Sequence, residues 1–210
     1  MATQNTEPIR IDFHFDPACP LAWRTALWIR EARNVRPIDI TWRFFSLEVV
    51  NRKPDTTPNY ATDGTWASER VLALVRDKYG NEAVERLYIA LGNARHGRGE
   101  DIKKPEVIRA ALQEAGLQPG LLDEALADET TIEDVLRDHQ EAVRRYHAFG
   151  VPTIAIQGSN VGFYGPIIHT VPRGEEAGEL WDWLYYALQR PNIFELKRER
   201  VGVKWEPVSA

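Results

Sequence analysis

The sequence predicts an α/β protein ordered as β-α-β, a helical block, then β-β-α. Three observations predict it: alternating apolar residues over 9–15, a helical apolar period through the middle of the chain, and short β-rich runs returning after Gly150. The simplest arrangement is one α/β domain made from 1–60 and 150–210, interrupted by an inserted helical domain over 61–149.

Ile9, Ile11, Phe13 and Phe15 alternate with Arg10, Asp12 and His14, a strand pattern that Asp16-Pro17 ends. A helix follows over 20–34, with Leu21, Ala22, Trp28, Ile29 and Ala32 on one side and Arg30 and Glu31 turned away. Residues 38–45 are rich in β-branched and aromatic side chains and form the second strand, parallel to the first. The polar, proline-bearing stretch 51–65 reads as a connection and boundary. Helical periods then run through Val71, Leu74 and Val75, and through Val84, Leu87, Tyr88 and Leu91. A third carries Val107, Ile108, Ala111, Leu112 and Ala115 and stops at Gly116 and Pro119. A longer helix bears Ile132, Val135, Leu136, Ala142, Val143 and Tyr146, with Thr130 and Glu133 as its capping box and Gly150 as its stop. Segments 153–156 and 161–164 flank Gln157-Gly158-Ser159-Asn160 as a hairpin. The last helix shows Ala177, Leu180, Trp181, Leu184 and Leu188 on one face, with Glu175 and Glu176 at its positive end.

Composition narrows the chemistry. With 43% hydrophobic and 27% charged residues in 210, the chain can build a core without a metal or disulfide staple. A net charge of −5 argues against a dedicated nucleic-acid binder. There is one cysteine, so an internal disulfide and the cysteine-rich zinc sites are excluded. Met1–Arg10 shows no secretory pattern and no run is long enough to span a membrane, so a cytoplasmic protein with a reduced thiol is expected.

That cysteine, Cys19, falls where the first strand meets the first helix. Pro20 fits the first helical position, which makes Cys19 the cap residue. A cap thiol faces unpaired N–H groups and the positive end of the helix dipole, so its pKa is expected to fall. The competing reading is a small buried hydrophobe. A second feature is Gly150-Val151-Pro152-Thr153, directly before the hairpin. A cis Val151-Pro152 bond would present Val151 backbone to an extended substrate; a trans proline would simply end the preceding helix.

Taken with Cys19-Pro20, the segments 12–17, Ser46-Leu47 with Asn51, Gly92-Asn93-Ala94-Arg95-His96, Val151-Pro152-Thr153, 163–166, 172–178 and 195–198 make the chain similar to the DsbA-like branch of the thioredoxin superfamily. Within it the chain resembles most the actinobacterial mycothiol-dependent nitroreductases and the FrnE-like proteins. The resemblance implies a thioredoxin-like fold and a thiol oxidoreductase with no tightly bound cofactor. Its cosubstrate would be a small thiol, mycothiol in an actinobacterium and glutathione elsewhere, acting with a small-molecule or disulfide substrate. Redox-active relatives carry Cys-x-x-Cys, whereas this chain reads Cys19-Pro20-Leu21-Ala22. Without a resolving thiol, what remains is monothiol exchange through a mixed disulfide. The resemblance also turns Asn93 and His96 toward the cleft.

Around Cys19, the expected binding set is Pro20, Leu21, Trp23, Asn51, Tyr60, Asn93, His96, Val151, Pro152, Thr153 and Arg173. Arg173 is a candidate bidentate partner for a carboxylate. Tyr60 and Trp66 fall at the domain junction, where clefts form. His14 could lie near Cys19 and tune it or be a packed core histidine, the commoner case, and His139 with His147 have a spacing unsuited to a metal. Two other functions keep the fold: a kappa-class glutathione transferase or 2-hydroxychromene-2-carboxylate isomerase type of enzyme, which uses glutathione without redox change, and a non-catalytic binding module. No nucleic acid or membrane partner is expected, and a homodimer is left open.

Overall fold

The computed structural model describes residues 7–53, 55–199, 202 and 204–210. The reading of Met1–Arg10 falls outside the described residues as far as residue 6. Four strands form one mixed sheet in the order β2-β1-β3-β4: β1 (Ile9–Phe15), β2 (Ile38–Phe44), β3 (Thr153–Ile156) and β4 (Gly162–Tyr164). β2 runs parallel to β1, with Ile9 opposite Ile38 and Phe15 opposite Phe44. β3 and β4 run antiparallel to their neighbours, Phe13 facing Ile154 and Ile154 facing Phe163. With the expected α/β class present, the last helix, α8 (Gly174–Leu188), packs on α1 (Pro20–Arg33), where the Trp28 indole donates to Ala177 O at 3.0 Å.

β1 is central, and the structure buries it on both faces rather than one. Asp12 therefore needs partners. Arg43 Nε and Gln157 Nε2 donate to it at 3.2 and 3.1 Å. His14 lies 3% exposed with neither ring nitrogen paired among the described residues, so burial holds its pKa down at about 4. It is a neutral ring packed edge-on to Tyr146.

Between β2 and β3 come α2 (Leu47–Asn51), α3 (Trp66–Tyr79), α4 (Asn81–Gly92), a π-helical turn (Asn93–Gly97), α5 (Pro105–Glu114), α6 (Leu121–Ala127) and α7 (Thr130–Tyr146). α3 packs on α4, α6 and α7. Two of their side chains seal the open edge of β2, which would otherwise present unpaired backbone. Asn81 accepts from Trp42 N and donates to Ile40 O, at 2.9 and 2.7 Å, and Asp138 accepts from Phe44 N at 3.2 Å.

Local expectations changed at three places. The two short helices α2 and α6 were not anticipated; at five and seven residues each carries too little of the helical period to register. Thr130 does not cap α7: it lies inside the helix, and its hydroxyl donates to Asp128 at 2.6 Å. α7 stops before Gly150, because His147 takes the left-handed conformation at φ 52°.

Candidate active site

The turn after β1 is built by Asp16. Its carboxylate accepts from Ala18 N and from Leu47 N, both at 2.7 Å, and its carbonyl accepts from Cys19 N at 3.1 Å. That turn delivers Cys19 in extended conformation (φ −79°, ψ 113°) as the cap of α1, with Pro20 at the first helical position. The sulfur accepts from Ala22 N at 3.4 Å and donates to Val151 O at 3.5 Å. Val151-Pro152 is cis, and Thr153 Oγ1 donates to Gly150 O at 2.8 Å. Residues 132 positions apart in the chain thus meet at one sulfur.

The expectation of an acidified thiol is overturned. Cys19 is 5% exposed, and burial pushes its pKa up; the Ala22 N–H opposes this, while the charge of Asp16 adds to it. Desolvation of a thiolate outweighs one cap hydrogen bond.

Next to Asp16 lies a buried polar group that the sequence did not single out. Glu69 accepts from Ser46 and Thr65 at 3.0 and 3.3 Å through Oε1. Its Oε2 has no hydrogen-bond partner among the described residues, and its carboxyl lies within electrostatic reach of Asp16. Burial raises the pKa of both carboxyls, so the pair holds a proton where ordinary carboxylates do not. Tyr88 sits in the electrostatic field of both Cys19 and Asp16, fully buried, with its hydroxyl unpaired among the described residues. Glu69 was legible in principle, since with Trp66 and Ala73 it shares one buried face of α3.

On its outer side the cap of α1 borders a cavity of about 420 Å³. Ala18, Pro20, Leu21, Trp23, Arg24, Arg95 and His96 form its walls together with the segment Trp205–Val208. Trp23 is fully buried, its ring seated where Gly92 has no side chain; a Cβ there would stand 2.1 Å from the indole. The His96 ring stacks on Trp23 with centroids 5.8 Å apart, and its Nε2 lies 3.0 Å from Pro17 O. Burial lowers the His96 pKa to about 4, against the opposing pull of that carbonyl, so the ring is neutral and Nε2–H is the donor. Pro20, Leu21, Trp23 and His96 therefore gather beside Cys19, and Asn93 stands one turn from His96, its Oδ1 accepting from Ala210 N at 2.8 Å.

One expected residue, Arg173, lies elsewhere. Arg173 is ion-paired with Glu31, near the far end of α1 and about 18 Å of helix from Cys19. Asn51 is exposed at the end of α2. Tyr60 packs edge-on to Trp66 at 5.1 Å.

A fold of this kind has known counterparts. The chain aligns with the probable DsbA oxidoreductase SCO1869 from Streptomyces coelicolor over 96% of its own length and 100% of that chain, with TM-score 0.65 and 17% identity. It aligns with the cytosolic disulfide reductase DsbM from Pseudomonas aeruginosa over 85% and 99%, with TM-score 0.57 and 14% identity. In sequence it is 36% identical over 192 residues to the uncharacterized protein Rv2286c of Mycobacterium tuberculosis, covering 90% of this chain and 82% of that one. The family model described as Rv2466c-like, mycothiol-dependent nitroreductase Rv2466c, matches residues 18–198. From the cap cysteine to the end of the last helix and beyond, the chain belongs to the Rv2466c-like family of mycothiol-dependent nitroreductases, on the thioredoxin-like scaffold of the DsbA-like oxidoreductases.

Proposed function

We propose that Cys19 carries out monothiol exchange with a small cytoplasmic thiol, mycothiol first and glutathione second, through a mixed disulfide. One observation carries the reading: the sulfur lies between a helix N-terminal N–H donor at Ala22 and the Val151 carbonyl beside Pro152. At rest the thiol proton points to Val151 O. Once it leaves, the Ala22 N–H and the dipole of α1 stabilise the thiolate that remains. The thiolate attacks the small-thiol sulfur of a mixed disulfide between substrate and small thiol: the Cys19–S bond forms, the substrate S–S bond breaks, and the leaving substrate thiolate takes up the proton. A second small thiol then attacks the mixed disulfide, restoring Cys19 and releasing the symmetric disulfide, so electrons balance without another oxidant. Residues 61–149 serve as the inserted unit that covers the sulfur.

Incubation with the disulfide of mycothiol, and in parallel of glutathione, tests this by intact mass. A single adduct on Cys19, removed by the matching free thiol and missing in Cys19→Ala, is the expected result. Folded protein that stays unmodified overturns it. The raised Cys19 pKa favours one second reading, an isomerase or transferase that binds a small thiol without joining it. Its signature is saturable thiol binding with no change in mass.

A further inference from the structure

The segment 204–210 lies against the cavity beside Cys19, which its residues 205–208 help to line, and its hydrogen bonds share a character. Trp23 Nε1 donates to Val208 O at 2.8 Å, and Val208 N donates to His96 O at 3.1 Å. Ala210 N donates to Asn93 Oδ1 at 2.8 Å, and Arg24 donates to Glu206 O. All four hydrogen bonds go to amide groups of the segment, and none goes to a side chain. The partners are groups that need an amide. His96 O is among the last carbonyls of the helical run ending at Gly97, which the helix itself leaves unpaired. The Trp23 indole is fully buried, so its N–H carries a desolvation penalty whenever no carbonyl meets it. The guanidinium of Arg24 lies 5.2 Å from the Trp205 ring centroid, and the His169 ring meets the same indole edge-on. Trp205 is nonetheless 41% exposed, and Val208 alone of the segment is half-buried. The segment therefore rests on the cavity through its backbone rather than through a core of its own.

We propose that this cavity is the seat of an extended, amide-bearing thiol or cysteinyl peptide, and that residues 204–210 are its built-in occupant, which a substrate must displace. The proposal rests on Cys19 as the reacting group and deepens that reading by naming the substrate class. Donor and acceptor alternate along the seat as they do along an extended peptide, and the seat reaches Ala18 and Pro20 on either side of the cysteine. A tethered segment holds such a seat at high effective concentration, so free ligands bind less tightly than the bare cavity would allow. Displacing the segment uncovers the cap of α1 and hands the same four partners to the incoming chain.

The single cysteine makes the test site-specific. The rate at which Cys19 reacts with a bulky aromatic disulfide reagent is compared in the full chain, in a chain lacking 204–210, and in Val208→Pro. The last keeps the whole chain and removes the N–H given to His96 together with the half-buried Val208 side chain. Both variants should react about tenfold faster or more, because the rate scales with the fraction of open seats. A peptide of residues 204–210, added to the shortened chain, should slow the reaction again. Unchanged rates in folded Val208→Pro, or a peptide that does not slow the shortened chain at millimolar concentration, overturn the proposal. Failure of the exchange reading looks different: the aromatic reagent still reacts faster in the variants, while the small-thiol disulfides leave no adduct in any of them.

Discussion

Helix α1 has a carboxylate near each end, half-buried at one and fully buried at the other, and the two are treated in opposite ways. At the C-terminal end Glu85 receives Arg30 Nε and both Arg33 Nη atoms at 2.8 Å and the Trp42 indole at 3.1 Å. Burial alone would raise its pKa, but those donors more than offset it and hold the carboxyl at about 2. At the N-terminal end Asp16 and Glu69 meet only neutral donors and one another, and burial carries both upward. A carboxylate given cations stays charged and ties helices together, whereas a pair given only dipoles keeps a proton. The first arrangement is scaffold. The second, three residues from the sulfur, is where protonation can still change.

The comparison can be broken or sharpened by mutation. The largest effect is expected for Glu85→Gln, which leaves two guanidiniums and an indole N–H facing an amide. We expect a loss of about 2–3 kcal/mol in urea unfolding, less than for a fully enclosed pair because both arginines reach water. A loss too small to measure would place Glu85 outside the scaffold.

Next comes the acid response of His14. Its folded pKa of about 4 lies below the unfolded value, so the unfolded chain takes up the proton first. Stability is present above about pH 6.5 and drains away as pH falls toward 4. At about pH 5 the loss from this residue is about 2 kcal/mol. His14→Leu should unfold at higher urea than wild type at that pH and show a flatter pH profile. An unchanged acid profile would mean that the ring is not held neutral. Glu85 acts in the same direction at lower pH, since its depressed pKa contributes stability above the ordinary carboxylate range that is lost as pH falls to about 2. Asp16 and Glu69 act oppositely: their raised pKa values favour the fold in acid, and the penalty grows as pH rises through the carboxylate range.

Glu69→Gln should therefore leave stability near neutral pH unchanged or higher, because the amide escapes the penalty that burial sets on the carboxyl. A loss matching that of Glu85→Gln would erase the distinction between the two ends. The smallest shift is expected for Asp16→Asn. Removing that negative charge should lower the Cys19 pKa, read as the midpoint of alkylation against pH. An upward or absent shift would separate the acid pair from the sulfur.

Much of this was legible in the residues themselves. The alternation over Ile9–Phe15, the β-rich runs and the apolar helical periods located every strand and the long helices, although β1 itself proved buried on both faces. Cys19-Pro20 fixed the cap for a local reason, the preference of proline for the first helical turn. The direction of the thiol pKa was not legible, since it depends on burial that involves Val151, 132 residues away. Arg173 misled because Glu31, its partner, is adjacent only once α1 and α8 have packed. Nor does Lys204–Ala210 carry any period, so nothing in its letters predicts that its amides would be matched by Trp23, Arg24, Asn93 and His96.

Gly92 carries a lesson for anyone redesigning this molecule. A glycine inside a helix weakens it by roughly 0.5–1 kcal/mol relative to alanine, and a stabilisation screen would flag the position for repair. The methyl group that strengthens α4 would land on the Trp23 indole, whose N–H faces the cavity beside Cys19. Helix strength and ligand recognition thus compete for the same few cubic ångströms.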